Sequence, residues 1–386
     1  SLIEASAPRL AIDVGAGKLP VLVNIHGGGF VVGEGSEPRL EGSSMAKKGM
    51  IVVTLNYRLN IFGAFSHPDL SKESPYNASG NYGILDQQFA LQWVKNNIAE
   101  FGGDTNRITI AGESAGAWSV LALTSSPLSK DMVAGAIASS GGIVPLTPLK
   151  KAEKKGELVA KNAGYNNIHD LRQASTEEIM TLYKSGNPMA YSGVVDNYVF
   201  TKQFPEIFEA REYAQIPLLI GWNSAELPPE VYLRGPIYTK ENFVNITKEV
   251  YSEHYEDILK MFPHNTESEI RKSAIDLTLI GFIGLGTWKW FDLHRKYNNK
   301  PVYRYLYSKV HPPHVTTDTT TYIPPLGARH AEEIHYSWGN LPLLTDDYNF
   351  SEDDYKVSAI MQEYFSNFIK TGNPNGKELP EWPIAK

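Results

Sequence analysis

Two short stretches of this chain combine residue types that perform acyl-transfer chemistry. Gly112-Glu113-Ser114-Ala115-Gly116 fits G-x-S-x-G, a pentapeptide in which a serine at a tight strand-to-helix turn is presented as a nucleophile. His26-Gly27-Gly28-Gly29-Phe30 is a glycine loop of the type that offers main-chain N–H groups to a developing oxyanion. The donors expected are Gly28, Gly29 and Ala115, because the residue after the nucleophile adds its own N–H to those of the loop. Losing one such donor costs roughly 3 to 4 kcal/mol of barrier. A phosphate-cradling loop is the rival reading of the glycines, but neither G-x-G-x-x-G nor a Lys-Ser/Thr pair accompanies them.

Both motifs need particular elements around them, and the flanking residues supply the pattern. Val21 to Ile25 is a short run rich in β-branched residues that ends at the glycine loop, and Met50 to Leu55 is another. Gly83 to Phe101 carries Leu85, Phe89, Leu91, Trp93, Val94 and Ile98 at broadly helical spacing. It stops at Gly102-Gly103, before the strand-like Arg107 to Ala111. Ser114 thus falls between a strand and the helical Ala115 to Thr124, the context the chemistry requires. Val133 to Ser139 is a buried strand of small residues. The strand-then-helix order over the first 145 residues predicts a mostly parallel sheet flanked by helices.

Further along, Pro148 to Tyr183 is charged and helical, and Pro217 to Gly221 is an apolar strand. A helix-rich insertion, roughly 228–298, comes next. Pro301 to Tyr307 reads as a late strand, His311 to Pro325 as a Pro- and Thr-rich loop, and Asp354 to Lys370 as an amphipathic helix. His311 and His314 are expected to be solvated loop residues, not metal ligands, because no carboxylate stands near them at ligand spacing. Residues 1–386 are read as a single α/β domain.

Composition narrows the function. Hydrophobic residues are 42% and charged ones 20% of the chain, enough to bury a large core. The formal net charge is −7 without a long basic run, so no nucleic-acid partner is expected. Cysteine is absent, which removes thiolate nucleophiles and zinc-thiolate sites and leaves the redox compartment open. No run of 18 or more apolar residues occurs and Ser1 to Leu10 lack the pattern of a signal peptide, so no membrane association is expected. The protein reads as soluble. Its compartment is open between a secreted or periplasmic one, with a signal peptide absent from the chain, and the cytoplasm, and its oligomeric state is equally open.

Four blocks make the resemblance specific: Leu19 to Gly33, Val53 to Gly63, Gly80 to Ala117 and Gly327 to Asn340. Together they resemble the type B carboxylesterases, the group that includes cholinesterases, bile-salt-stimulated lipases and bacterial para-nitrobenzyl esterases. The most diagnostic is the long pattern from Gly80-Asn81-Tyr82-Gly83 to Gly112-Glu113-Ser114-Ala115-Gly116-Ala117. The lack of cysteine suits a bacterial member. The resemblance implies an α/β-hydrolase fold and a serine carboxylesterase acting on small-molecule esters through an acyl-enzyme, without cofactor or metal.

It further implies a catalytic acid in the turn after a strand, where Glu226 is the matching carboxylate, and a base in a G-x-x-H loop, matched by Gly327-Ala328-Arg329-His330. Ala225 and Leu227 stand where the family has Asp and Gly, and Glu230 lies one helical turn further on. The order Ser114, Glu226, His330 is that of α/β-hydrolases. Asp86 and Glu113 look like groups supporting the elbow. Phe30, Trp118, Trp222, Phe282 and Trp288 are candidates for pocket walls. Only about twenty residues precede the Val21 strand and the chain ends soon after Trp382-Pro383, so it reads as abbreviated at both ends relative to the family. Two rival readings accompany this one: a non-catalytic adhesion or binding protein on the same fold, as in neuroligins, and an esterase directed at feruloyl or lipid esters.

Overall fold

The computed structural model describes residues 9–12, 18–185, 193–318, 320 and 322–386. Its centre is a seven-stranded sheet. In chain order the strands are β1 (Arg9–Ile12), β2 (Leu19–Ile25), β3 (Ile51–Leu55), β4 (Gly103–Glu113), β5 (Gly135–Ser139), β6 (Leu218–Asn223) and β7 (Val302–Tyr307). Their spatial order is β1-β3-β2-β4-β5-β6-β7. Every pairing is parallel except that of β1 with β3. Parallel strands need crossover helices, which cover both faces, and so the strands read as continuous apolar runs. All five residues of β3 are buried, as are six of the seven in β2.

Alternation along β2 distributes its side chains between two cores. Val21, Val23 and Ile25 join Ile108, Ile110, Val120 and Leu121 on one face. Leu22 joins Val52, Ala111, Ile137 and Leu219 on the other, beneath Phe365, Phe368 and Ile369 of the long helix Glu352–Thr371. That helix starts with a capping box, in which the side chains of Ser351 and Asp354 accept from each other's backbone N–H groups.

Register places the chemistry at one edge of the sheet. Ile25 lies opposite Gly112, Glu113 opposite Ser139, and Asn223 opposite Tyr307. The carboxyl ends of β2, β4, β5 and β6, consecutive in the sheet, therefore finish at the same end of it, and the loops leaving them share the crevice where open parallel sheets bind ligands.

Two helices flank the strand that leads into this crevice. α1 (Tyr82–Asn97) precedes β4, and α2 (Ala115–Ser125), buried at every residue, follows it. Between β6 and β7 the chain runs through Pro229–Leu233, Lys240–Tyr251, Tyr255–Met261, α3 (Glu267–Leu279), a π-turn at Ile280–Gly284, and α4 (Leu285–Tyr297). The earlier of these helices bury a small core of their own, formed by Tyr232, Leu233, Phe243, Ile270, Ala274 and Leu277. No helix among the described residues is long and apolar enough to cross a membrane.

Several expectations need correction. β4 begins at Gly103, four residues before the expected Arg107, because its polar first half is held to Leu19 beyond a register shift and carries no apolar signal. β1 has no counterpart among the expected strands, since four residues are too few to show a period. Of the stretch Ser1 to Leu10, expected to lack a signal peptide, residues 1–8 lie outside the described residues. His311 is not solvated: it is buried, with its ring 4.3 Å from Tyr348 and 5.2 Å from Phe350 between centroids. Aromatic residues distant in sequence enclose it, and no local pattern signals that. His314 is partly exposed, with Nε2 3.5 Å from Asp347.

Asn81 shows how the block around α1 supports the fold. Its side-chain N–H groups donate to Val194 O at 2.8 Å and Asp196 Oδ2 at 2.9 Å, and its Oδ1 accepts from Val194 N–H at 3.0 Å. All of these atoms are shielded from water, so Asn81→Ala is expected to cost roughly 2 to 3 kcal/mol of stability, read as a lower urea midpoint at unchanged slope.

Candidate active site

The site is built around a strained residue. Ser114 occupies the turn from β4 to α2 with φ 58° and ψ −121°, a conformation that costs a non-glycine residue free energy and is kept only where the surroundings enforce it. Ser114 N–H donates to Ser139 O at 2.8 Å, which locks the turn to β5. The close approach needs glycine nearby: a Cβ on Gly116 would overlap the carbonyl oxygen of Ile25 at the end of β2. Helix α2 can therefore start directly against the sheet with the serine hydroxyl projecting beyond it.

That hydroxyl stands 2.8 Å from His330 Nε2, and His330 Nδ1 stands 2.6 Å from Glu226 Oε2. Glu226 is buried, and its other oxygen accepts from Ser140 Oγ and from the N–H of Asn223, both at 2.7 Å. The three side chains come from positions 114, 226 and 330, brought together by loops at the same sheet edge. Glu230 is directed elsewhere and accepts a hydrogen bond from Tyr238. His335 lies within the helix Glu333–Trp338, its ring near His311.

The glycine loop leans on the elbow. A Cβ on Gly27 would lie 3.3 Å from Ser114 Cβ, which measures how closely the loop passes the serine. Gly28 has φ 102°, and a Cβ there would overlap Val32 O, so only glycine fits. Ala115 is the first residue of α2, where an N–H has no carbonyl one turn earlier to donate to. Residues of the second sequence block hold the loop from behind. Tyr57 OH donates to His26 O at 2.8 Å and its ring stacks on His26 at 4.4 Å. Arg58 makes paired hydrogen bonds of 2.8 Å to Asp86 on α1. Asp86 is thus a brace for the loop, not a participant in the crevice.

The profile of the Carboxylesterase family matches residues 9–386. The chain belongs to the carboxylesterase family. It is 33% identical over 404 aligned residues to Fumonisin B1 esterase of Sphingopyxis macrogoltabida, covering 96% of this chain and 68% of that protein. It is 31% identical to Carboxylesterase 1C of Mus musculus, over 95% of this chain and 68% of the other. Among solved structures it resembles a PNB esterase with a TM-score of 0.78 and 28% identity, covering 98% of this chain and 78% of that one. The protein is a carboxylic-ester hydrolase of the α/β-hydrolase fold.

Three groups of this carboxylesterase that bear on the site escape a reading of the sequence. Ser140, with φ 52°, and Asn223 hold Glu226, and Glu333 accepts from Asn223 Nδ2 at 2.6 Å. The only local hints are the Ser-Ser-Gly-Gly after β5 and a second glutamate after His330. Glu113, expected only to support the elbow, has Oε1 3.1 Å from His330 Nε2.

The histidine of the carboxylesterase therefore sits among three buried carboxylates. Burial raises Glu113 to about 7 against the opposing pull of His330. Burial and the neighbouring charges of Glu113 and Glu226 raise Glu333 to about 8. Burial by itself would lower the imidazole, but the bond to Glu226 and the charges of Glu113, Glu226 and Glu333 outweigh it and hold His330 up at about 9.

The aromatic candidates separate. Phe282 meets the His330 ring edge-on with centroids 5.3 Å apart. Phe30 packs edge-on against Trp118 at 5.5 Å, and Trp118 is itself buried against Phe200 and Phe204. Trp222 pairs with Leu306 across β6 and β7, and strand alternation turns its side chain to the opposite face from Asn223. Trp288 is half exposed and packs on Phe291 at 6.3 Å. Of the five, only Phe282 is in ring contact with a member of the hydrogen-bonded chain.

The electrostatics make a directional prediction. A base must be neutral to accept a proton, so with His330 in that role activity should rise with pH as the ring loses its proton, above the ordinary histidine range near ~6.5. Glu113→Gln removes a negative charge that favours the imidazolium. The acidic limb of the kcat/KM profile should move to lower pH, measured with a soluble nitrophenyl ester from about pH 5 to 10.

Proposed function

We propose that this carboxylesterase works by nucleophilic catalysis, with Ser114 as nucleophile, His330 as general base and Glu226 as the acid that orients it. The observation that carries the reading is the unbroken run of hydrogen bonds from Ser114 Oγ through His330 to Glu226, at 2.8 and 2.6 Å. In this reading His330 Nε2 takes the serine proton as Oγ attacks the ester carbonyl. The imidazolium then hands that proton to the departing alcohol, and a water activated by the same nitrogen cleaves the acyl-enzyme. The N–H groups of Gly28, Gly29 and Ala115 receive the oxyanion. Glu226 accepts from Nδ1–H, which fixes the tautomer and stabilises the imidazolium without itself becoming protonated.

The substrates proposed are small-molecule carboxylic esters, handled within a single catalytic domain over 1–386, with no cofactor. Phe282 forms one wall beside the imidazole, and the pair Phe30 and Trp118 lies against the glycine loop. Trp222 has less support as a wall, because it faces away from Asn223.

Hydrolysis of para-nitrophenyl acetate and butyrate by wild type and by Ser114→Ala tests the nucleophile. Turnover should fall at least ~10³-fold in the variant, and a fluorophosphonate probe should label wild type but not Ser114→Ala. Wild-type protein that neither turns over esters nor takes the label would favour the non-catalytic binding reading. Glu226→Gln preserves the shape of the side chain and removes its charge; kcat should drop by ~10³ to 10⁴ with KM little changed. A variant as active as wild type would assign the acid elsewhere.

A further inference from the structure

Phe282 reaches the imidazole from an unusual element. The π-turn Ile280–Gly284 is closed by Leu285 N–H donating to Ile280 O, so the helical path from α3 to α4 is widened by a residue at that point. Such turns recur at functional sites because they break the regular phase of a helix. Beyond it the helix is fastened to the loop after β5. Ile143 N–H donates to Gly286 O at 3.1 Å, and Thr287 Oγ1 donates to Gly141 O at 3.1 Å. That loop abuts the nucleophile, since a Cβ on Gly141 would stand 2.6 Å from Ser114 O. The π-turn and the first turn of α4 are consequently fixed relative to both Ser114 and His330.

The outer face of this segment is apolar and open. Phe282, within the π-turn, and Leu285 and Trp288, one turn of α4 apart, are 39%, 51% and 46% exposed. Gly281 beside them has open space where a Cβ would stand. Exposed apolar residues grouped along one short segment in this way mark a binding surface. Its inner end is the ring that touches His330.

Chemistry decides which part of a substrate lies there. The histidine that has taken the serine proton must pass it to the leaving alkoxide, so the alcohol portion of the ester lies against the imidazole. We infer that Phe282, Leu285 and Trp288 form a shelf for the alcohol portion, and that the enzyme selects esters of long or bulky apolar alcohols. The inference rests on the serine mechanism proposed above, and Ser114→Ala tests that mechanism separately.

Two isomeric esters distinguish the alcohol side from the acyl side. n-Octyl acetate and ethyl octanoate have the same composition, and ethyl acetate is the short reference for both. Leu285→Gln and Trp288→Gln alter exposed positions and should fold. Each should lower the kcat/KM ratio of n-octyl acetate to ethyl acetate about ten-fold, chiefly through KM, while the ratio of ethyl octanoate to ethyl acetate holds. Phe89→Gln, at an exposed apolar residue of α1, controls for a general loss of hydrophobic surface and should move neither ratio.

The shelf is overturned if the ethyl octanoate ratio falls as much, or if neither ratio moves. It is equally overturned if the variants change only the oligomeric state by sedimentation, which would assign the face to a second copy of the chain. Ester hydrolysis that survives Ser114→Ala would remove the serine mechanism and the shelf together.

Discussion

A carboxylate sealed from water must be given its hydrogen-bond donors by the protein, and Glu226 receives three. They come from the hydroxyl of Ser140 after β5, the N–H of Asn223 at the end of β6, and the ring of His330 in the loop after β7. An unpaired buried charge would cost several kcal/mol, so these elements are energetically tied to one another through a single side chain. The same requirement fixes which ring nitrogen faces the carboxylate and leaves the other facing Ser114. The carboxylate thus constrains the fold of the crevice and the geometry of its chemistry at once.

The serine side of the crevice is governed by steric closeness. Helix α2 starts so near the sheet that Gly116 has no room for a Cβ, and the glycine loop passes Ser114 within side-chain distance. These backbones meet without the help of bulky side chains, and residues from elsewhere keep them in place. Tyr57 and the Arg58–Asp86 pair brace the loop from behind, and Ser139 O holds the serine N–H. The strain at Ser114 is sustained by this surrounding order.

The histidine side is governed by charge. Burial and neighbouring carboxylate charge raise Glu113 and Glu333, while the imidazolium of His330 opposes the rise of Glu113 and is itself favoured by the carboxylates around it. In the proposed mechanism such an environment would stabilise the charged histidine formed during acyl transfer, at the expense of raising the pH at which the ring is free to act as a base. The π-turn that carries Phe282 covers part of this ring and connects the helices between β6 and β7 to the crevice.

Much of this is legible in sequence because it depends on local constraints. The G-x-S-x-G turn, the run of glycines after β2 and the strand-helix alternation are written in consecutive residues, where a missing Cβ or an apolar run has an immediate conformational meaning. Ser114 and the parallel sheet follow from them directly. Glu226 and His330 are reached by likeness to a family, and their hydrogen bonds exist only once β6 and β7 lie side by side. Ser140, Asn223 and Glu333, the burial of His311, the outward turn of Trp222 and the placing of Phe282 over the imidazole are decided by tertiary structure alone. Each depends on partners distant along the chain, or on the phase of a strand or helix against its neighbours. Local sequence specifies which conformations a segment can adopt; packing decides which of its side chains meet.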